Sequence, residues 1–142
     1  MAEVAEATGD AERAAAFALR RAVFCAEQGV AAAIEFDGLD GACRHYLARI
    51  GARTVGVARL RPYGAGAVKI ERMAVAADMR GRGIGAAVLA RLLADALASG
   101  AVRAVLHAQT HAAGFYARFG FAAEGAPFDE AGIEHVRMTR AL

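Results

Sequence analysis

A glycine-rich turn with two arginines is the segment whose residue types most clearly suggest chemistry. Residues 80–86 read Arg-Gly-Arg-Gly-Ile-Gly-Ala and lie between an apolar run, residues 68–76, and an amphipathic segment, residues 84–99. A glycine-rich turn that opens a helix leaves successive backbone N–H groups without partners at the positive end of the helix dipole. Arginine adds fixed positive charge and paired donors that match phosphate oxygens. The turn therefore predicts a site for a phosphate-bearing ligand.

Two general phosphate-binding motifs fit this turn poorly. A P-loop needs a lysine followed by Ser or Thr after its second glycine, and neither is present. Gly81, Gly83 and Ala86 match the dinucleotide pattern G-x-G-x-x-A, which normally starts at a strand end and precedes an acidic residue by about 20 positions. Here residues 77–80 intervene, and the next predicted strand, residues 102–107, has no carboxylate. On the residues alone, a helix start without a ligand also stays open.

Composition limits the class of protein. The chain has 142 residues and a formal net charge of +2, and its scattered basic residues do not indicate a nucleic-acid partner. This length predicts a single domain over residues 1–142. Cys25 and Cys43 have no CxxC spacing and are expected to be reduced thiols. With no export signal and no membrane-spanning run visible, we expect a cytoplasmic protein without a membrane partner.

Hydrophobic periodicity predicts an α/β fold. The segment 68–107 reads as strand, helix, strand, which requires a parallel crossover, whereas the other strands are expected to pair antiparallel. We therefore expect a mixed, mostly antiparallel central sheet flanked by helices. Leu97 is expected on the buried stripe of the helix at 84–99. The predicted helices cover residues 11–24, 84–99 and 112–119, and the predicted strands cover residues 45–50, 54–61, 68–76, 102–107, 121–124 and 133–140.

Three segments together resemble the GCN5-related N-acetyltransferases (GNAT) over nearly the whole chain. Residues 72–75, leading into the turn at 80–85, are similar to the central strand and pyrophosphate loop of that family, whose motif is Gln/Arg-x-x-Gly-x-Gly/Ala. Residues 112–121 match the family pattern Ala-x-x-Phe-Tyr-x-x-x-Gly-Phe. Residues 23–30 and 35–40 resemble a bacterial subgroup with a Val-Phe-x-x-Glu-Gln segment and mostly undefined acceptors. Gln109 stands where the family often has asparagine.

The resemblance implies acetyl-CoA as acyl donor, no metal, and a direct transfer of the acetyl group to a primary amine. The turn would hold the pyrophosphate, and the strand before it would pair its backbone with the pantetheine arm and with the oxyanion. To allow this, the strands at 68–76 and 102–107 should separate. The cofactor-binding residues implied are Met73, Ala74, Val75, Arg80, Gly81, Arg82, Gly83, Ile84, Gly85, Ala86 and Gln109.

Tyr116 is the expected catalytic acid. A thiolate leaves in this reaction, and a phenol keeps its proton until about pH 10, so a positioned tyrosine can protonate the departing sulfur. Glu71 is the expected base for the acceptor ammonium, with a pKa raised by burial. His107 and His111 are alternatives because histidine titrates near neutrality, and an ordered water is another. The i, i+4 spacing of these two histidines does not indicate a metal site, since no third ligand is evident.

The acceptor, a small-molecule or protein amine, is expected to contact the first helix, the loop after it and the last strand. The expected substrate-binding residues are Phe24, Glu27, Gln28 and His135. Carboxylates of the acidic loop, residues 35–41, would favour a cationic amine. A homodimer is possible for such a protein. Two other functions stay open: a non-catalytic acyl-CoA-binding or sensor module on the same fold, and acyl-homoserine lactone-type synthesis.

Overall fold

A computed structural model describes residues 2–142. The strands are β1 (Glu3–Glu6), β2 (Arg44–Ile50), β3 (Arg53–Pro62), β4 (Ala67–Val75), β5 (Arg103–Gln109), β6 (Ala122–Ala123), β7 (Phe128–Glu130) and β8 (Ile133–Ala141). The helices are α1 (Asp10–Arg20), α2 (Ala32–Glu35), α3 (Ile84–Ala98) and α4 (Ala113–Ala117), and α1 continues as a π-helical turn (Arg21–Glu27). None of the helices among the described residues is long and apolar enough to cross a membrane.

The sheet order is β1-β2-β3-β4-β5-β8-β6, with β7 also paired to β8. The pair β4–β5, joined through α3, is parallel, and the other pairs are antiparallel. The predicted mixed sheet with one parallel crossover is therefore confirmed. Helices α3 and α4 cover one face of the sheet, and α1 with its π-helical turn covers part of the other.

Several predicted elements differ from the observed ones. β1 and β7 were not expected: β1 has a single β-branched residue, and each strand is fixed by pairing to a longer neighbour. The first helix was expected to end at residue 24, but its α-helical part ends at Arg20 and the π-helical turn continues to Glu27. Leu97 is 58% exposed, so the buried stripe of α3 instead consists of Ile84, Val88, Leu89, Leu92, Leu93 and Ala96.

Close packing at Gly56 sets the position of the α3 N-terminus. A Cβ at Gly56 of β3 would lie 2.8 Å from Cγ2 of Ile84, the first residue of α3. Real Cβ atoms do not approach other carbons so closely, so only glycine allows the helix to reach this depth. The start of α3, and with it the turn at residues 80–86, is thereby held against the middle of the sheet.

Candidate active site

A cleft opens between β4 and β5 because these parallel strands separate. They pair from Ala67 with Arg103 to Ile70 with Leu106, and beyond that point they do not pair with each other. The cleft has a volume of about 1090 Å³ and is lined by the separated ends of both strands, the turn at residues 80–86, α4 and part of residues 23–37. The edge of β4 that faces the gap therefore presents backbone polar groups that an extended ligand can pair with.

A β-bulge at Arg72 interrupts β4 at the point where the gap begins. Arg59 pairs with Glu71 and Val57 with Ala74, so a single residue of β3 lies opposite two residues of β4. Arg72 has a φ of 58°, which is strained for a side-chain-bearing residue. Its guanidinium donates hydrogen bonds to the carbonyls of Ile34 and Glu35 at 3.3 and 3.1 Å. These bonds hold the bulge in place and redirect the backbone of β4 beside the cleft.

The glycine-rich turn places unpaired backbone N–H groups at one end of the cleft. Gly81 and Gly83 have φ values of 77° and 78°, and Gly83 is the N-cap of the 15-residue helix α3. The first backbone N–H of this helix to find a helical acceptor is that of Ala87, which bonds to the carbonyl of Gly83 at 3.0 Å. The N–H groups before it lack backbone acceptors among residues 2–142, so the turn can hold an anion.

Arg80 of this turn is held in two ways. Its Nε donates to the carbonyl of Val75 at 3.1 Å, and its Nη2 donates to Oε1 of Glu27 at 2.8 Å. The hydrogen bond from Arg80 lowers the pKa of the Glu27 carboxyl below its ordinary value. Glu27, expected to contact the acceptor, is therefore bound to a residue expected to contact the cofactor.

Tyr116 lies on α4 at the inner wall of the cleft. Its ring packs edge-on against Phe115 and Phe121, at centroid distances of 5.0 and 6.1 Å. The hydroxyl makes no hydrogen bond to any of residues 2–142, and burial raises the pKa of Tyr116 to about 12. The phenol is thus protonated at neutral pH, and its donor is available to a ligand in the cleft.

An ion-pair network lies beside the part of the cleft that Glu35, Asp37 and Glu71 line. Arg59 is fully buried and binds Asp37 at 2.7 Å, Asp40 at 3.0 Å and Glu71 at 3.0 Å. Arg20, 1% exposed, binds Glu35 and Asp40 at 2.8 and 2.7 Å. The full network contains the cations Arg20, Arg59, Arg61, Lys69 and Arg72 and the carboxylates Glu35, Asp37, Asp40 and Glu71. Each carboxylate of the acidic loop is thus bound by arginine, which argues against the expectation that this loop attracts a cationic amine.

Glu71 does not have the pKa expected of it. Burial alone raises the pKa of Glu71, but the hydrogen bond from Arg61 and the charges of Arg59 and Lys69 outweigh burial and lower it to about 2. The Arg61 Nε–Glu71 Oε1 distance is 2.7 Å. The prediction of a raised pKa was wrong because the sequence did not show three cations converging on one carboxylate.

Comparison with known proteins agrees with this geometry. A family model described as an acetyltransferase (GNAT) domain matches residues 7–142. The chain belongs to the GNAT acetyltransferase family. A Bacillus subtilis protein described as a candidate acetyltransferase is 36% identical over 140 residues, which cover 96% of this chain and 95% of that protein. As a member of this family, the chain is an N-acetyltransferase.

Two solved GNAT-like structures extend the comparison. The structure of a candidate N-acetyltransferase from Lactobacillus plantarum has a TM-score of 0.93 and 29% identity, with 99% of this chain and 98% of that chain covered. A GNAT acetyltransferase from Elizabethkingia anophelis, solved with acetyl-CoA bound, has a TM-score of 0.77 and 18% identity, with 99% and 98% covered. The second likeness concerns the fold alone.

Most residues expected to form the GNAT site line the same cleft. These are Phe24, Glu27, Gln28, Glu71, Met73, Ala74, Val75, Arg80, Gly81, Gly83, Ile84, Gly85, Ala86, Gln109, Tyr116 and His135. Arg82 is exposed and does not line it. Gln109, expected at the cofactor, exchanges hydrogen bonds of 2.9 and 3.4 Å with Gln28, and its Oε1 also accepts one from Nε2 of His111 at 2.9 Å. This amide pair joins the end of β5 to the residue after the π-helical turn.

Sequence reasoning missed two groups at this GNAT site. One is the arginine framework of Arg20, Arg59 and Arg72, for which the alternation of Arg59 and Arg61 in the otherwise apolar second half of β3 was an available signal. The other is Glu130, which lies 2.9 Å from Nδ1 of His107 and also lines the cleft. The two residues are 23 positions apart, and no short motif links them. Among residues 2–142 there is no group of His, Cys, Asp and Glu side chains arranged to hold a metal.

Proposed function

We propose that this protein transfers the acetyl group of acetyl-CoA directly to a primary amine of a small molecule or a protein. The observation that carries the proposal is one continuous cleft. It leads from the unpaired amides of residues 80–86, along the open edge of β4, to the free hydroxyl of Tyr116. That order matches the order of pyrophosphate, pantetheine amides and thioester in acetyl-CoA. The structure from Elizabethkingia anophelis, which shares this fold, was solved with acetyl-CoA bound, and the same donor fits the cleft of this protein.

In this proposal the backbone at the Arg72 bulge receives the thioester. The bulge turns the peptide groups of β4 at the start of the gap, where no neighbouring strand competes for them. An N–H fixed in that position stabilises the oxyanion of the tetrahedral intermediate without reorganising during the reaction. Met73, Ala74 and Val75 then continue along the pantetheine arm.

Tyr116 is proposed to donate a hydrogen bond to the leaving sulfur. The pKa of a thiol is about 8.5, below the value of about 12 for Tyr116, so the phenol does not give up its proton permanently. It stabilises the thiolate as the C–S bond breaks and can relay to sulfur a proton that the amine loses. Removing the hydroxyl therefore affects the chemical step and not cofactor binding.

Direct transfer is favoured over an acetyl-cysteine intermediate. Cys25 is half-buried in the π-helical turn and does not line the cleft, although its neighbour Phe24 does. Cys43 is buried, and burial raises the pKa of its thiol, which suppresses the nucleophilic thiolate. Neither thiol is placed to accept the acetyl group.

The test combines binding with turnover. Calorimetry should detect acetyl-CoA binding to the purified protein, and a thiol reagent should detect CoA release with at least one member of a panel of primary amines and lysine peptides. Binding without amine-dependent release would identify an acyl-CoA sensor instead. Absence of binding at millimolar acetyl-CoA would refute both functions.

A further inference from the structure

His107 occupies a distinctive place beside the gap between β4 and β5. It directly follows Leu106, the last residue of β5 that pairs with β4. The alternation of strand side chains puts it on the same face of the sheet as Glu71, and it lines the cleft with 18% of its side chain exposed. It therefore lies at the start of the gap, the region in which the thioester is proposed to bind.

The imidazole ring of His107 is fixed by two contacts. Its Nδ1 lies 2.9 Å from Oε1 of Glu130, and its ring meets the ring of Phe128 edge-on at 5.0 Å and 80°. An ionised carboxylate only accepts hydrogen bonds, so Nδ1 carries the proton. The neutral ring then has its lone pair on Nε2, which makes no hydrogen bond to any of residues 2–142. A carboxylate that fixes the tautomer of a histidine in this way leaves the other nitrogen as a base.

Three carboxylates that line the cleft, Glu27, Asp37 and Glu71, are poor bases. A fourth, Glu35, has a pKa raised by burial, but its carboxylate is 3% exposed and is bound by Arg20 and Arg72. Glu71 has its pKa lowered to about 2 because three cations outweigh the effect of burial. The pKa values of Asp37 and Glu27 are also lowered, in each case chiefly by a hydrogen bond from arginine. Groups of such low pKa cannot take a proton from an alkylammonium at neutral pH at a useful rate.

We propose that Nε2 of His107 is the general base for the acceptor amine and that Glu130 is its positioning residue. This rests on the proposed direct transfer. Nε2 takes one proton from the acceptor ammonium, directly or through one water, and the free amine attacks the thioester carbon. The C–N bond forms, the C–S bond breaks, and the second amine proton goes to the CoA sulfur. The imidazolium returns its proton to solvent, so one proton is released for each turnover.

The charged surroundings of His107 come from three strands. Glu130 of β7 contacts the ring, and Arg137 and His135 come from β8, with Arg137 directly opposite His107 in the register. Glu71 and Lys69 of β4 lie on the same face, paired to each other at 3.4 Å.

An amine that is already neutral at pH 7 gives the decisive test. His107→Gln should lower kcat/KM on the order of 10²-fold with an alkylamine such as butylamine and change the pH profile of that reaction. With aminoacetonitrile, which needs no base at pH 7, the same variant should lose less than about 3-fold. An equal loss with both amines, or an unchanged pH profile, would overturn the assignment.

Glu130→Gln tests the positioning role with a variant that keeps the fold. It should lower kcat with butylamine about 10-fold and shift the pH profile of that reaction. The control is Asp129→Asn, which changes an exposed carboxylate on the same strand and should leave both kcat and the pH profile unchanged. Acetyl-CoA binding should be unchanged in all three variants. Failure of the wild-type protein to bind or use acetyl-CoA would instead refute the proposed function. The failure of the proposed function can therefore be told apart from the failure of the His107 assignment. If His107→Gln does not fold, the outcome for Glu130→Gln decides.

Discussion

Arg80 and Glu27 form an ion pair across one end of the cleft, with a distance of 2.8 Å between Nη2 and Oε1. The guanidinium comes from the turn proposed to bind pyrophosphate, and the carboxylate comes from the last residue of the π-helical turn. Both side chains are about 40% exposed, so water and salt screen the pair. A pyrophosphate that binds Arg80 must therefore either displace the carboxylate of Glu27 or share the guanidinium of Arg80 with it.

Replacement of Glu27 should strengthen acetyl-CoA binding. Glu27→Gln frees Arg80 and removes a negative charge near the anion, and we expect the Kd measured by calorimetry to fall about 2- to 5-fold. Asp78→Asn is the matched control. It removes one negative charge close to the turn, but Asp78 pairs with Arg53 and not with Arg80. Weaker binding by Glu27→Gln, or an equal gain by Asp78→Asn, would contradict this account.

Removal of the Tyr116 hydroxyl should affect chemistry alone. Tyr116→Phe is expected to lower kcat on the order of 10²-fold, with the Kd for acetyl-CoA unchanged. Because the hydroxyl has no hydrogen-bond partner within residues 2–142, its loss leaves no unsatisfied group, and the melting temperature should change little. Steady-state kinetics with the best amine of the panel measure the first effect. An unaltered kcat would remove Tyr116 from the mechanism.

The stability of the protein should depend on the charge of Glu71 in acid. Its pKa is lowered to about 2 in the folded state, from about 4.5, so the carboxylate stabilises the fold above pH 4.5. This stabilisation, of order 2 to 3 kcal/mol, is lost as the pH falls from about 4.5 to 2. Urea unfolding at several pH values should show a smaller dependence on pH in this range for Glu71→Gln than for the wild type.

The control for this measurement is Glu3→Gln, which changes an exposed carboxylate on β1. It should retain the acid dependence of the wild-type protein. At neutral pH, Glu71→Gln should also be less stable than the wild type, because Arg59 keeps its buried charge and loses one acceptor. Equal acid dependence of Glu71→Gln and wild type would show that the network does not act through this carboxylate.

A methyl group at Gly56 should disturb the cofactor site from a distance. Gly56→Ala places a Cβ 2.8 Å from Cγ2 of Ile84, so the start of α3 must move away from the sheet. We expect a loss of about 1 to 3 kcal/mol in the free energy of unfolding and a several-fold weaker acetyl-CoA affinity. The control is Gly41→Ala. A Cβ at Gly41 would have no atom within 4 Å, so this variant should change neither the free energy of unfolding nor the acetyl-CoA affinity. Equal affinities of the two variants would show that α3 does not need this close approach.

Local signals were enough to predict the phosphate-binding end of the site. The helix start at Ile84 was predicted correctly because glycines with positive φ and a following apolar stripe act within a few residues. The parallel crossover followed from the order strand, helix, strand. By contrast, β1 is stabilised by pairing with β2 about 40 residues away, which its own sequence does not encode strongly.

The properties of the candidate bases, Glu71 and His107, depend on long-range contacts that no local sequence pattern reveals. The charge state of Glu71 is decided by Arg59, Arg61 and Lys69 from two strands, and by the way Arg59 is shared with Asp37 and Asp40. Spacing showed which face Glu71 occupies but not how many cations it meets there. The pairing of His107 with Glu130 likewise requires β7 to fold onto β8.

The strained residue at the bulge links two parts of the protein mechanically. Arg72 has a left-handed backbone conformation and its guanidinium is bound to the carbonyls of Ile34 and Glu35, and Ile34 lines the cleft. The backbone that is proposed to face the acetyl group is thus one side chain away from a residue that an incoming acceptor can touch. An acceptor that shifts Ile34 is therefore expected to change the kcat for acetyl transfer as well as its own affinity.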